Sequence, residues 1–87
     1  MLQDFELSAF IEEDKHREAF YLRISAPVGG QAVGEYLCRV QAPLLFRGEK
    51  EIFGVDEVQA RELALNFVKA LLGTRRLMDA EGQSIEL

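Results

Sequence analysis

The sequence predicts an α+β protein: an antiparallel meander of three to four strands with one C-terminal helix packed on one face. Two observations support this fold class. Apolar and polar residues alternate with period two through the first half of the chain, and apolar residues follow a helical period after residue 56. The chain has 87 residues, 48% hydrophobic and 29% charged, a composition typical of folded globular proteins. At this length we expect a single domain, residues 1–87, without repeat or linker.

Three alternating segments predict the first three strands. Their inward side chains are expected to be Phe5, Leu7, Ala9 and Ile11, then Phe20, Leu22, Ile24 and Ala26, then Tyr36, Cys38, Val40 and Ala42. Pairing Ile11 with Phe20, and Ala26 with Tyr36, places all of them on one face, because directly opposed residues in antiparallel strands share a side. The charged run Glu13–Glu18 is expected to form a hairpin loop. A short fourth strand is expected at Glu51–Phe53.

The helix has clear local signals at both ends. Asp56 is a good N-cap, Gln59 follows at the spacing of a capping box, and Gly73 is expected just past the last turn. The side predicted to face the sheet is formed by Ala60, Leu63, Ala64, Phe67, Ala70 and Leu71. After the helix, Leu77–Met78 and Ile85 are compatible with a last short strand or hairpin.

A second apolar row on the helix lies roughly opposite the first in this prediction. It consists of Val58, Arg61, Leu65, Val68 and Leu72. A helix on one sheet needs only one apolar face, so something is expected to cover this row. The spacing suits a seam between two copies of the chain, which would form a homodimer. The alternatives are cover by the tail, through Leu77, Met78 or Leu87, and simple exposure.

The outer face of the sheet is the second candidate contact surface. In the predicted register Phe10 lies opposite Tyr21, with Arg23, Leu37, Arg39 and Gln41 nearby. Aromatic and arginine side chains on an open sheet are used by some proteins that bind single-stranded RNA. The alternatives are a solvated face with scattered apolar residues and a protein-binding or dimer surface.

The charge balance excludes some partners. Fifteen acidic against ten basic residues give a net charge of −5, which disfavours nonspecific binding to nucleic acid and to anionic membranes. The only cysteine, Cys38, rules out an internal disulfide framework and a multi-cysteine zinc site. The segment Met1–Glu6 is acidic and alternating, unlike a signal peptide, so we expect a cytoplasmic protein.

No linear motif supports catalysis, a cofactor or a metal. His16 is expected in the solvated hairpin loop, and Cys38 is expected as a small buried side chain of the third strand. The glycine-rich segment Gly29–Gly34 is followed by Glu35 and Tyr36, whereas a phosphate-binding loop requires Lys and then Ser or Thr. We therefore expect a protein that is not an enzyme.

Several segments resemble a known family. Glu35–Val40, Ile52–Asp56, Gln59–Ala60 and the ending from Leu77 through Asp79–Gly82 are similar to an uncharacterised family of small bacterial proteins, a domain of unknown function. This resemblance implies a fold and a bacterial origin but no activity. Pro43 and the helix entry at Gly54–Asp56 are also similar, more faintly, to HicB-type antitoxins. Where those proteins have a Pro-Asp-Leu-Pro-Gly turn, this chain has Ala42-Pro43-Leu44-Leu45.

The expected function is that of a non-enzymatic protein-interaction module acting as a homodimer. One alternative is an immunity or antitoxin-type protein that neutralises a basic partner, with Glu12–Asp14 as a candidate contact. The other is a small-ligand binder or enzyme with a pocket between helix and sheet, and with Tyr36 or Arg39 at its mouth.

Overall fold

A computed structural model of the chain describes residues 2–87; the predicted domain also includes Met1, which lies outside the described residues. The α+β class and the antiparallel sheet are confirmed, but the prediction of three to four strands is wrong because the described residues form seven. The elements are β1 (Phe5–Glu13), β2 (His16–Ile24), β3 (Val28–Gly29), β4 (Tyr36–Gln41), β5 (Glu49–Gly54), α1 (Glu57–Leu72), β6 (Arg76–Met78) and β7 (Ser84–Ile85). The short C-terminal hairpin predicted from Leu77–Met78 and Ile85 is present as β6 and β7. β3, which was not predicted, has only two residues, too few to show alternation.

The β1–β2 hairpin closes through a turn of two residues. Asp14 and Lys15 have φ angles of 48° and 67°, the left-handed conformation of a tight hairpin turn. Ala9 therefore pairs with Phe20, and Ile11 pairs with Glu18, two residues away from the predicted register. An even shift leaves every side chain of β1 and β2 on its predicted face, so the inward residues from Phe5 to Ile24 are correct although the pairing is not. Ala26, predicted as the last of them, lies beyond β2 and outside the core.

The segment between β2 and β3 contains a bulge. Ile24 pairs with Val40, and after the bend at Pro27 the register against β4 has changed by one residue, with Val28 opposite Leu37. The Ser25 N–H donates to the Arg39 carbonyl at 2.9 Å, and the Ser25 hydroxyl accepts the Arg39 N–H at 2.8 Å. The side chain of Ser25 thus replaces a backbone acceptor where the ladder is interrupted. Ile24 was predicted to lie opposite Cys38, but its observed partner is Val40, two residues further along β4.

The sheet curls into a half-barrel. β5 pairs with β4, whose other edge pairs with β2 and β3, and the sheet continues through β1 to β6 and β7. α1 packs over β4, β5 and β2. The helix therefore covers the part of the half-barrel near β5, and the β6–β7 hairpin forms the edge of the sheet farthest from β5.

The rotation of α1 differs from the prediction. Its buried side chains are Ala60, Ala64, Val68 and Leu72, at every fourth position. Leu63 and Leu71, predicted to face the sheet, are 41% and 40% exposed. The two alanines are fully buried and bring the helix axis close to the sheet. Both helix faces contain apolar residues, so hydropathy alone could not choose between them.

The predicted ends of α1 are confirmed. The Asp56 carboxylate accepts the Gln59 N–H at 2.7 Å, and the Gln59 side-chain oxygen accepts the Val55 N–H at 2.8 Å. Gly73 has a φ of 61°, and its N–H donates to the Lys69 carbonyl at 3.1 Å. These contacts satisfy backbone groups that a helix leaves without partners at its ends.

Candidate functional site

The predicted helix row does not form one surface. Val68 and Leu72 lie in the core, and Leu65 is half-buried against it. Of the apolar residues in the row, only Val58 is well exposed, at 57%. A homodimer seam along this row is therefore incompatible with the rotation of the helix, since a second copy cannot reach side chains that already contact the sheet.

Arg61, also assigned to that row, ties together three parts of the chain. Its guanidinium donates to the Gln3 carbonyl and lies 3.4 Å from the Ser25 carbonyl, while its Nε is buried without a hydrogen-bond partner among the described residues. The same guanidinium approaches the thiol of Cys38 beneath the helix. Burial raises the pKa of the Cys38 thiol, and Arg61 opposes part of that rise. Arg61 thus links α1 to the N-terminal segment and to the end of β2.

Arg23, predicted as an outer-face contact, is held in an ion-pair cluster. Its Nη2 lies 2.6 Å from Asp4 Oδ2, and its Nε lies 3.6 Å from Glu6. The other oxygen of Asp4 accepts the Ala26 N–H at 2.7 Å. This backbone N–H, and next the Arg23 guanidinium, lower the pKa of the Asp4 carboxyl, and Asp4 in turn raises the pKa of Arg23. The charge of Arg23 is consequently neutralised within the chain.

The prediction that Phe10 lies opposite Tyr21 is wrong because the register of β1 against β2 is shifted by two residues. Phe10 lies opposite Ala19 on β2 and opposite Met78 on β6, whereas Tyr21 lies opposite Ser8. Phe10 is half-buried, and its cross-strand neighbour Met78 is buried. The two rings are diagonal neighbours and do not form the stacking platform that the predicted register suggested.

Side chains fill the space between helix and sheet in which a ligand pocket was predicted. The space between helix and sheet is occupied by fully buried residues, among them Ile24, Cys38, Val40, Ala60 and Ala64. Arg39 lies instead on the outer face, 3.6 Å from Glu51 and beside an open depression of about 490 Å³. Tyr36 is half-buried against the core.

An exposed apolar surface that was not predicted surrounds the end of β5. We call it the Phe53 surface; its exposed side chains are those of Val28, Val33, Phe53 and Val55, while Leu37, directly opposite Val28 and Phe53, is buried. Val28, Leu37 and Phe53 form a cross-strand row over β3, β4 and β5, and Phe53 is 47% exposed. Val33, Phe53 and Val55 line a second depression of about 410 Å³, so the Phe53 ring stands between two hollows. The one sequence signal near this surface was Leu37, an apolar residue on the predicted outer face, and the structure buries it beside Val28 and Phe53.

The Phe53 surface adjoins a free strand edge. Within residues 2–87, β5 pairs with β4 alone, and its other edge meets no strand. Charged residues commonly protect such edges, and Glu49–Glu51 supply them in the first half of β5. The second half, Ile52–Gly54, has none. An unpaired backbone edge and an exposed aromatic ring therefore coincide.

Other candidate chemistry is absent from the described part of the chain. His16 is exposed at the start of β2, and residues 2–87 contain no group of three His, Cys, Asp or Glu side chains that could hold a metal ion. Over the same residues no helix has the length and hydropathy needed to cross a membrane. Comparison with protein-family models, curated proteins and solved structures finds no match to this chain. The resemblances to an uncharacterised bacterial family and to HicB-type antitoxins remain predictions.

Proposed function

We propose that this protein is a non-enzymatic protein-interaction module that acts as a homodimer, with two copies meeting at the Phe53 surface and the free edge of β5. The observation that carries the proposal is the coincidence of these two features at one place. Unpaired N–H and C=O groups along a strand edge supply backbone hydrogen bonds for another strand. Exposed aromatic side chains supply the buried contacts that dominate the energy of many interfaces.

The charges on β5 restrict how two copies can pair. Antiparallel pairing centred on Lys50 or Glu51 would oppose like charges across the two-fold axis. Pairing centred on Ile52 opposes Ile52 to its symmetry mate and Glu51 to Phe53, so no like charges meet directly. The same register keeps both Phe53 surfaces on one face of the joined sheet, because opposed residues share a side. A two-fold arrangement of this kind closes and limits assembly to a dimer.

Light scattering on a size-exclusion column, over a concentration series, tests this proposal. The matched variants are Phe53→Thr and Tyr21→Thr, since both replace a partly exposed aromatic ring on a strand by the same β-branched residue. We expect twice the monomer mass for the unmodified protein and for Tyr21→Thr. For Phe53→Thr we expect the monomer mass, or a dimer dissociation constant raised by about tenfold or more.

Two results would contradict the proposal. One is a monomer mass for the unmodified protein at every concentration, and the other is dissociation by Tyr21→Thr but not by Phe53→Thr. The substitution Leu65→Glu distinguishes a dimer contact along the predicted helix row from a dimer contact at the Phe53 surface. Because Leu65 is half-buried against the core, that change should lower stability, whereas a seam on the helix would instead release a folded monomer.

A further inference from the structure

A cleft at the edge of the sheet opposite to β5 has a lining that is both basic and apolar, unlike the Phe53 surface. It lies between the C-terminal end of α1 and the β6–β7 hairpin, and its volume is about 550 Å³. This volume is within the range of roughly 300–1,000 Å³ that is usual for small-molecule sites. Its apolar lining consists of Leu72, Leu77, Ile85 and Leu87, and its basic lining consists of Lys69, Arg75 and Arg76. The only acidic residue of the lining is Glu86.

The basic residues of this cleft contrast with the acidic character of the chain. Between Glu62 and Asp79 the sequence contains three basic residues and no acidic one, although the net charge of the chain is −5. Among the described residues, none of the three forms an ion pair within 4.0 Å. Glu12 lies opposite Arg76 on β1, but its carboxylate is oriented toward Arg17, at 3.9 Å. The positive charge at the cleft is therefore available to an anion.

Arg75 is held in place by the end of the helix. Its Nη2 donates to the Leu71 carbonyl at 2.9 Å, and its Nε donates to the Leu72 carbonyl at 3.2 Å. The C-terminal end of a helix carries partial negative charge that repels anions, and Arg75 offsets it here. A guanidinium has five N–H donors, so these two bonds leave others for a further acceptor. Lys69 adds a cation one turn earlier on α1.

We propose that this cleft binds an amphipathic anion, with a carboxylate or phosphate head group on a hydrocarbon body. The head group is placed near Lys69, Arg75 and Arg76, because arginine and lysine recognise both kinds of oxyanion. The hydrocarbon body lies on the side chains of Leu77, Ile85 and Leu87, which form the apolar floor. A head group without a body would leave this floor uncovered, and a neutral body would leave the cations unpaired.

Isothermal titration calorimetry with four probes tests the proposal. Octanoate and octyl phosphate carry both parts of the ligand, octanol carries the body alone, and inorganic phosphate carries the head group alone. We expect saturable binding of at least one of the two amphipathic anions, with the isolated parts weaker by about tenfold or more. Binding of only octanoate or only octyl phosphate identifies the head group and supports the proposal in either case.

Matched charge variants locate the site. Lys69→Gln with Arg76→Gln removes two exposed cations of the cleft, and Arg47→Gln with Lys50→Gln removes two exposed cations outside it. The first pair should weaken binding by about tenfold or more, and the second should leave it unchanged. Arg75 is left intact because it caps the helix. The single variant Lys69→Gln provides the same comparison if the first pair does not fold.

Three outcomes would overturn the proposal. The first is the absence of saturable binding by both amphipathic anions. The second is equal weakening by the two pairs of substitutions, which would indicate nonspecific attraction. The third is inorganic phosphate that binds as tightly as octyl phosphate, which would show that the apolar floor takes no part.

Discussion

Gly54 at the end of β5 lies directly against the backbone of Ala60 in the first turn of α1. A Cβ atom on Gly54 would be 2.5 Å from the Ala60 nitrogen and 2.9 Å from its Cα. This close approach lets the chain pass from β5 into α1 through only Val55 and Asp56. It also sets which side of the helix meets the sheet, because Ala60 begins the buried row.

Gly54→Ala is therefore expected to be destabilising. Its methyl group meets backbone atoms, which cannot rotate away as a side chain could, so β5 and α1 must separate. We expect the free energy of unfolding in urea to fall by about 2–3 kcal/mol, the upper part of the range for overpacking. Gly29→Ala is the control, since an added Cβ there meets nothing within 4 Å, and its effect should stay within about 0.5 kcal/mol. Equal effects of the two substitutions would refute the steric explanation.

The cluster around Asp4 predicts a pH dependence with a definite sign. The Ala26 N–H and the Arg23 guanidinium lower the pKa of Asp4 in the folded state below its ordinary value of 3.8. A lowered folded-state pKa means that the carboxylate stabilises the protein above the unfolded pKa, and that this stabilisation is lost as the pH falls through the folded pKa. Asp4→Asn should consequently lower the melting temperature at neutral pH, with a difference that shrinks below about pH 4.

Thermal unfolding followed by circular dichroism over a pH series measures this difference. Glu18→Gln serves as the control, because Glu18 is exposed and forms no ion pair among the described residues. Its melting curve should follow that of the unmodified protein throughout. A melting-temperature difference for Asp4→Asn that stays constant from neutral to acidic pH would contradict the predicted role of the ionised carboxylate.

The thiol of Cys38 is expected to be protected in the folded protein. It is fully buried, and burial raises its pKa, so both access and thiolate formation are restricted. We expect an aromatic disulfide reagent to label the native protein at least about 100-fold more slowly than the protein unfolded in denaturant. The labelling rate should rise with denaturant in parallel with the unfolding transition. Comparable rates for native and unfolded protein would show that the thiol is accessible.

The strand faces and the helix ends could be predicted because they depend on local pattern. Residues two apart in a strand share a side, so the residues predicted to face inward from Phe5 to Ile11 still do so although the pairing is shifted by two residues. Asp56 and Gly73 act on backbone groups within four residues of themselves. The register itself was not predictable, because Asp14–Lys15 lacks the Asn-Gly signal of a tight hairpin turn.

Local sequence patterns predict the α+β class, the antiparallel strands, the inward faces of the main strands and the limits of the helix. The rotation of α1 depends on three-dimensional packing, because two similarly apolar rows left it open and the contact of Gly54 with Ala60 resolves it. Three-dimensional packing also decides both candidate surfaces. The Phe53 surface joins side chains from Val28 to Val55, and the cleft joins the end of α1 to the tail. Side chains far apart in the chain become neighbours through strand pairing and packing, and the local sequence pattern does not indicate such contacts.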